Sequence, residues 1–216
     1  MKYYDISETY EKGMLRYPSF KDFELVFDRE YDLGNTMAQS HFEMNSHLGT
    51  HLDSPYHMIK EGKRIEDYEL ERFIGKCQVI SLKDRDCIGE EDLRKIDIQA
   101  DRLIFKTDNY ERITNGSFEN VYFKEDAGTY LASLGVKLIG IDCFSVDRIG
   151  SKSYQAHIAI LGGGIAILEG IFPQDVPDGI YFMTCLPLKI ASAEGCPCRV
   201  LLFEYGDIEA YIGNRE

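Results

Sequence analysis

His47-Leu-Gly-Thr-His51-Leu-Asp53-Ser-Pro-Tyr-His57 is the stretch around which the fold and chemistry of this 216-residue chain can be predicted. The chain has five histidines, and four of them lie between positions 41 and 57. From residue 41 to residue 53 the odd positions are polar or glycine, whereas the even positions are mostly apolar. This alternation predicts an extended chain with one polar face and one mostly apolar face.

A fully extended chain would not allow this stretch to bind one ion. It would separate His47 from Asp53 by about 20 Å at roughly 3.3 Å per residue. Metal ligands must come within about 2.0–2.2 Å of the ion. We therefore expect a bend at Gly49, because glycine has no Cβ to restrict its backbone. The expected picture is a strand that arrives at His47, bends at Gly49, and brings His51 and Asp53 to the same point.

The residue types in this stretch suit a divalent metal such as Zn²⁺, Mn²⁺ or Fe²⁺. Three histidines and an aspartate within eleven residues, in a chain with few other histidines, argue against a merely solvated polar face. The fifth histidine, His157, and Glu169 are candidates for a second cluster of ligands. Glu169 follows an apolar run, and an acid that ends a buried strand is costly unless it is paired or metal-bound. For this pair alone, a plain structural role remains open.

Short apolar segments along the rest of the chain predict a strand-rich α/β fold. The predicted strands cover residues 23–27, 78–82, 102–106, 137–141, 164–168, 180–184 and 199–204. Helices are predicted at residues 90–95 and 124–134, the second of them closed by Gly135. The excess of strands predicts a mixed sheet with a barrel-like core. Because no boundary signal interrupts the chain, residues 1–216 are expected to form a single domain.

Composition excludes several classes of partner. The formal net charge of −13 argues against nucleic acid, whose phosphates require Lys and Arg, and against an anionic membrane surface. No apolar run approaches the length that spans a bilayer, and the first residues lack the apolar segment of a signal peptide. We therefore expect a cytoplasmic protein, whose six cysteines would be free thiols in a reducing compartment.

The pattern His47-x-Gly-Thr-His51-x-Asp53-x-Pro-x-His57 resembles the HxGTHxDxPxH signature of the cyclase family of metal-dependent hydrolases. That family includes bacterial kynurenine formamidase, an arylformamidase, and isatin hydrolase. Three further stretches, at residues 140–147, 157–169 and 187–199, resemble other segments of the family. The resemblance extends from about residue 38 to residue 205.

The resemblance implies a set of metal ligands. His47, His51 and Asp53 would hold one divalent ion. Asp53, His157 and Glu169 would hold a second ion where two are bound. The metal would be Zn²⁺ or Mn²⁺, with one or two ions per subunit. The implied fold is α/β with a barrel-like mixed sheet, and the implied assembly is a homodimer.

The resemblance also implies a reaction. His57 would be the general acid/base in hydrolysis of a small amide, either an arylformamide or a cyclic amide. The family's formamidases carry a Pro-x-Trp-Pro-Gly-Asp stretch near the N-terminus, whereas this chain has no tryptophan. Tyr17 is the candidate replacement for the aromatic wall that would grip an aryl substrate. The alternative is that Tyr17 is an ordinary half-buried tyrosine. The missing tryptophan therefore bears on which substrate is bound more than on which reaction is catalysed.

Two other functions fit part of the pattern. A non-haem iron oxygenase could use His51, Asp53 and His157 as a two-histidine, one-carboxylate triad. However, the oxoglutarate-dependent members would carry a basic residue shortly after the distal histidine, whereas the next arginine here is Arg199. His47 and His57 would also have no role in such a triad. A non-catalytic metal-binding protein is the second alternative. Against it, His57 is not needed in the first ligand set, and a structural zinc site would be closed by four protein ligands.

Overall fold

A nine-stranded mixed sheet forms the centre of the computed structural model, which describes residues 2–207. The strands in this range are β1 (Tyr3–Asp5), β2 (Glu24–Arg29), β3 (Gln39–Glu43), β4 (His51–Asp53), β5 (Ile74–Ser81), β6 (Cys87–Ile88), β7 (Arg102–Lys106), β8 (Tyr122–Phe123), β9 (Leu138–Ile141), β10 (Ala166–Glu169), β11 (Gly179–Thr184), β12 (Gly195–Pro197) and β13 (Leu201–Glu204). The α-helices that lie wholly within this range are α1 (Glu90–Leu93), α2 (Asn109–Thr114), α3 (Glu125–Ser133) and α4 (Gln155–Gly162). Short 3₁₀ helices occur at Tyr31–Leu33, Pro55–His57, Ile65–Asp67 and Leu70–Phe73.

The sheet has a parallel centre and antiparallel flanks. Its strand order is β1-β13-β11-β5-β7-β9-β10-β4-β12, and β5, β7, β9 and β10 run parallel to one another. The unit β7–α3–β9 supplies one of the parallel connections, as the order strand, helix, strand predicts. The sheet curls into a half-barrel, which confirms the predicted α/β fold with a mixed sheet and a barrel-like core.

Both faces of the sheet are covered by hydrophobic residues. In β10, Ile167 faces the helices and packs in one cluster with Leu131 of α3 and Ile160 of α4, whereas Leu168 lies in the cluster on the opposite face together with Leu52 of β4. Each of these five side chains is completely buried. Burying such a side chain stabilises the fold by about 1.5–3 kcal/mol. A strand covered on both faces needs apolar residues in succession, which explains why the sequence predicts these strands well.

A two-stranded hairpin of β2 and β3 lies outside the main sheet. The predicted strand at residues 23–27 is therefore real, but it does not join the core. His41 lies on this hairpin, where its exposed ring bonds to Asp28. Three large apolar side chains, those of Leu25, Phe27 and Phe42, are 46–59% exposed on the hairpin.

The chain between the hairpin and β4 is not extended: β3 ends at Glu43, so the extended chain predicted to arrive at His47 is wrong over residues 44–47. A turn occupies residues 46–47, and bends follow at residues 48–50. The side chain of Asn45 accepts a hydrogen bond from the backbone of His47, which is the local bond that favours a turn over a strand. The chain does bend at Gly49, whose φ is +61°.

Two helices, α2 and α4, are missing from the sequence predictions. The segment of α4 is mostly apolar and half of it is buried, so its composition resembles that of a core strand. Its N-terminal cap is not local either, because the side chain of Asp147 accepts a hydrogen bond from the backbone N–H of Ala156. Within residues 2–207, no helix is both long and apolar enough to cross a membrane.

Candidate metal centre

The register of two neighbouring strands places three predicted ligands together. His51 and Asp53 are two residues apart on β4, so their side chains point to the same face of the sheet. Glu169 on β10 lies directly opposite His51 in the antiparallel register. The Nε2 atom of His51 is 3.4 Å from Asp53 Oδ1 and 3.4 Å from Glu169 Oε2. All three side chains are buried, and they converge on the face of the sheet that α4 covers.

The bend at Gly49 brings His47 back towards β4. The Nδ1 atom of the His47 ring lies 2.7 Å from Asp53 Oδ1. The ring lies against Gly195 of β12, where a Cβ would come within 2.5 Å of His47 Cε1. Glycine is therefore required at position 195 by the close approach of this ring.

His157 reaches the same cluster from α4. Its Nε2 lies 3.4 Å from Glu169 Oε1 and 3.6 Å from Asp53 Oδ2. Its Nδ1 donates a hydrogen bond to Asp147 Oδ2, at 2.6 Å. Asp147 thereby fixes the orientation of the ring and leaves Nε2 directed at the cluster.

His57 completes the group from the 3₁₀ helix that follows β4. Its ring centre is 4.0 Å from that of His47 and 5.6 Å from that of His157. Candidate ligand atoms of His47, Asp53 and His57 all lie within 4.8 Å of one another, and the same is true of His51, Asp53 and Glu169. The six residues singled out from the sequence are therefore neighbours, with Asp53 common to both groups. The first group includes His57, which the sequence prediction kept outside the ligand set.

Burial and the neighbouring charges have opposite effects on several pKa values in this cluster. Burial works to lower the pKa of His51, but the nearby carboxylates of Asp53 and Glu169 outweigh that effect and raise the pKa to about 10. Burial works to raise the pKa of Asp53, but the neighbouring histidines hold it well below its usual range. For His57, burial is the largest influence and its pKa lies below the ordinary value. The cluster thus keeps its carboxylates ionised and His57 largely neutral near pH 7.

The donor atoms fit a divalent metal. His51 Nε2 and Asp53 Oδ2 are buried without a hydrogen-bond partner, although both face the cluster. A buried polar atom without a partner costs about 1–3 kcal/mol, so such atoms call for an explanation. A cation at this position would satisfy both atoms, and imidazole with carboxylate is a donor set that suits Zn²⁺ and Mn²⁺.

Tyr17 lies outside the cluster of candidate ligands. It is half-buried and packs against the same hydrophobic cluster as Met58, which follows His57. Its hydroxyl accepts a hydrogen bond from the backbone N–H of Gly150, at 3.2 Å. A role as the aromatic wall of a substrate pocket stays a prediction.

Two carboxylates next to the candidate ligands were not singled out as site residues. Asp147 binds His157, and Glu194 Oε1 lies 3.3 Å from His47 Nε2. The His47 ring and Ser46 hold the pKa of Glu194 at about 2. Both acids fall in stretches that resemble the family, but neither spacing nor composition indicates which histidine each one contacts.

Comparison with known proteins places the chain among hydrolases. The family model described as "Putative cyclase" matches residues 4–148. Kynurenine formamidase of Erythrobacter litoralis (strain HTCC2594) is 35% identical over 210 residues, which cover 94% of each chain. The solved structure of a predicted metal-dependent hydrolase from Bacillus stearothermophilus is 32% identical, with a TM-score of 0.80 over 93% of this chain and 97% of that one. Isatin hydrolase A from Labrenzia aggregata shares the fold, with a TM-score of 0.81, 19% identity and 93% coverage of each chain.

The curled sheet, the buried cluster and these similarities define an enzyme, a metal-dependent hydrolase that acts on a small molecule. The chain belongs to the cyclase family, as the signature in residues 47–57 predicts. The two alternatives, a non-haem iron oxygenase and a non-catalytic metal-binding protein, are not favoured.

Proposed function

We propose that this enzyme hydrolyses the formyl amide of an arylformamide. The observation that carries the proposal is the shared position of Asp53 between two groups of candidate ligands, with His57 at the edge of the cluster. The similarity to proteins named kynurenine formamidase, over nearly the whole described chain, supports this class of substrate over other amides.

We propose that the metal is held by His47, His51, Asp53, His157 and Glu169. When bound, a divalent cation polarises the substrate carbonyl and lowers the pKa of water from about 15.7 to about 7. The metal is Zn²⁺ or Mn²⁺, with one or two ions per subunit. A site for two ions is supported by the two groups that share Asp53.

The remaining roles, proton transfer, orientation of the ligands and substrate binding, would be carried out by the chain's own residues. His57 would accept a proton from the attacking water and return it to the leaving nitrogen, a transfer worth about 10²–10⁴-fold in rate. The backbone carbonyl of Gly49 accepts a hydrogen bond from His51 Nδ1, at 2.9 Å, and so directs Nε2 of that ring at the cluster. Tyr17 would line the aryl end of the pocket.

The proposal is tested on metal-free protein that is reloaded with Zn²⁺ or Mn²⁺ and assayed on N-formylkynurenine, formanilide and isatin. We expect hydrolysis of the two formamides after reloading, and none in the metal-free state. Acetanilide is the matched control, because it differs from formanilide by one methyl group at the carbonyl carbon. Absence of hydrolysis across a panel of amides, lactams and esters with both metals would overturn the proposal. Elemental analysis of the reloaded protein gives the number of ions.

We further propose that residues 1–216 act as one cytoplasmic domain that forms a homodimer through the hairpin of β2 and β3. The cross-strand pair Leu25 and Phe42 and the nearby Phe27 form an exposed apolar face on this hairpin. A two-stranded hairpin is only marginally stable without further packing. A second copy of the chain would supply that packing.

A Leu25→Lys variant tests this assembly. We expect it to shift the protein from dimer to monomer in light scattering coupled to size-exclusion chromatography, because a charge would be buried in the interface. Leu134→Lys is the matched control, since Leu134 is exposed to a similar extent, 47% against 50%, but lies at the end of α3. A dimer that persists in the Leu25 variant would exclude the hairpin as the interface.

A further inference from the structure

The imidazole of His47 lies between two carboxylates. Its Nδ1 faces Asp53 Oδ1 at 2.7 Å, inside the cluster. Its Nε2 faces Glu194 Oε1 at 3.3 Å, on the outer side of the ring. Ser46 donates a hydrogen bond from its hydroxyl to the same oxygen of Glu194, at 2.7 Å, so the carboxylate is held towards the histidine.

The backbone beneath Glu194 is tied to the strand that carries the ligands. The carbonyl of Glu194 accepts hydrogen bonds from the backbone N–H of Ser54, at 2.9 Å, and from the Ser54 hydroxyl, at 2.8 Å. The next residue, Gly195, pairs with Asp53 in the sheet and lies against the His47 ring. The strand pairing that positions Asp53 therefore also positions residue 194.

The other two histidine ligands each have a fixed acceptor on their outer nitrogen. His51 uses the carbonyl of Gly49, at 2.9 Å, and His157 uses the carboxylate of Asp147, at 2.6 Å. For His47 the outer nitrogen, Nε2, makes no well-formed hydrogen bond in this structure. Glu194 Oε1 is the acidic oxygen within ion-pair distance of it on that side. A metal-bound histidine almost always donates its other ring N–H to a partner that fixes its tautomer.

We propose that Glu194 is the positioning residue for His47: it accepts the Nε2–H proton, selects that tautomer, and so presents Nδ1 to the metal. This inference rests on the proposed metal-dependent function. Glu194 is not itself assigned as a ligand or as a catalytic residue. The Glu194 carboxylate should also make the ring a stronger metal ligand, because a charged hydrogen-bond acceptor raises the basicity of the ligating nitrogen.

The test measures metal affinity rather than turnover alone. The dissociation constant for Zn²⁺ is determined by competition with a chromophoric chelator for the wild type and for the Glu194→Gln and Glu194→Ala variants. We expect Glu194→Ala to bind Zn²⁺ about 10–100-fold more weakly, with Glu194→Gln between it and the wild type because the amide keeps an acceptor without the charge. The visible spectrum of the Co²⁺-loaded protein should shift in the same order.

Glu66→Ala is the matched control. The Glu66 carboxylate accepts a hydrogen bond from Ser192 N at 3.0 Å, so it is bonded to the same loop without touching His47. The melting temperature of the metal-free proteins identifies any variant that fails to fold. If Glu194→Ala fails to fold, the isosteric Glu194→Gln variant still allows the comparison with the wild type. Zn²⁺ affinities and Co²⁺ spectra equal to those of Glu66→Ala would overturn the positioning role while leaving the proposed function intact. A wild type that neither binds metal nor hydrolyses an amide would overturn both.

Discussion

An Asp53→Asn variant is expected to lose bound metal and hydrolytic activity together. Asp53 is completely buried and is common to both groups of candidate ligands. Its two oxygens face three histidines, at 2.7 Å from His47, 3.4 Å from His51 and 3.6 Å from His157. An amide supplies one neutral oxygen in place of two charged ones, so it can neither bridge two ions nor balance the charge of one.

The expected loss of kcat/KM is on the order of 10³-fold or more, since metal catalysis contributes several kcal/mol and each 1.36 kcal/mol is a factor of ten. Metal content by elemental analysis and kcat/KM on a formamide are the two measurements. Asp142→Asn is the matched control, because Asp142 is also buried but bonds to Thr107, away from the cluster. Metal content and activity equal to those of this control would show that Asp53 is not a ligand.

A His57→Gln variant is expected to keep its metal and lose turnover. The five other residues of the cluster supply the proposed ligands, whereas His57 lies at the edge of the group on a 3₁₀ helix. Removal of a general acid/base reduces the rate by about 10²–10⁴-fold. The effect should fall on kcat rather than on KM, because proton transfer occurs in the transition state.

Metal content and steady-state kinetics together separate the possible roles of His57. His41→Gln is the control, since His41 is an exposed histidine on the hairpin. Full activity of the His57 variant would contradict the acid/base role. Loss of metal along with activity would instead make His57 a ligand, as its distance from His47 and Asp53 permits.

Much of the fold follows from local sequence. The strands β5, β7, β9, β10, β11 and β13 overlap predicted segments because each is a short run rich in apolar residues. The helix α3 ends just before Gly135, which adopts a left-handed φ of +73° as a helix stop does. The two missed helices share a physical cause: α2 is only six residues long, and the apolar α4 is capped by a side chain from outside the helix.

The sequence by itself selected most of the residues that we propose carry the chemistry. His47, His51, Asp53 and His57 could be selected from one stretch because histidine is rare elsewhere in the chain and because Gly49 allows the bend. The choice of these candidate ligands thus depends on residue type and local spacing. The substrate does not follow from residue type and spacing in the same way, because the tryptophan-bearing motif of the formamidases is absent and Tyr17 packs beside the core.

Only the tertiary structure decided which of these residues meet and what holds them. Glu169 faces His51 because β10 pairs with β4 in one register, and a slip of one residue would turn its side chain to the other face of the sheet. Glu194 meets His47 because β12 pairs with β4 on its other side. Such contacts join segments that are far apart in the chain, and strand pairing and helix packing set their distances, which no local pattern encodes.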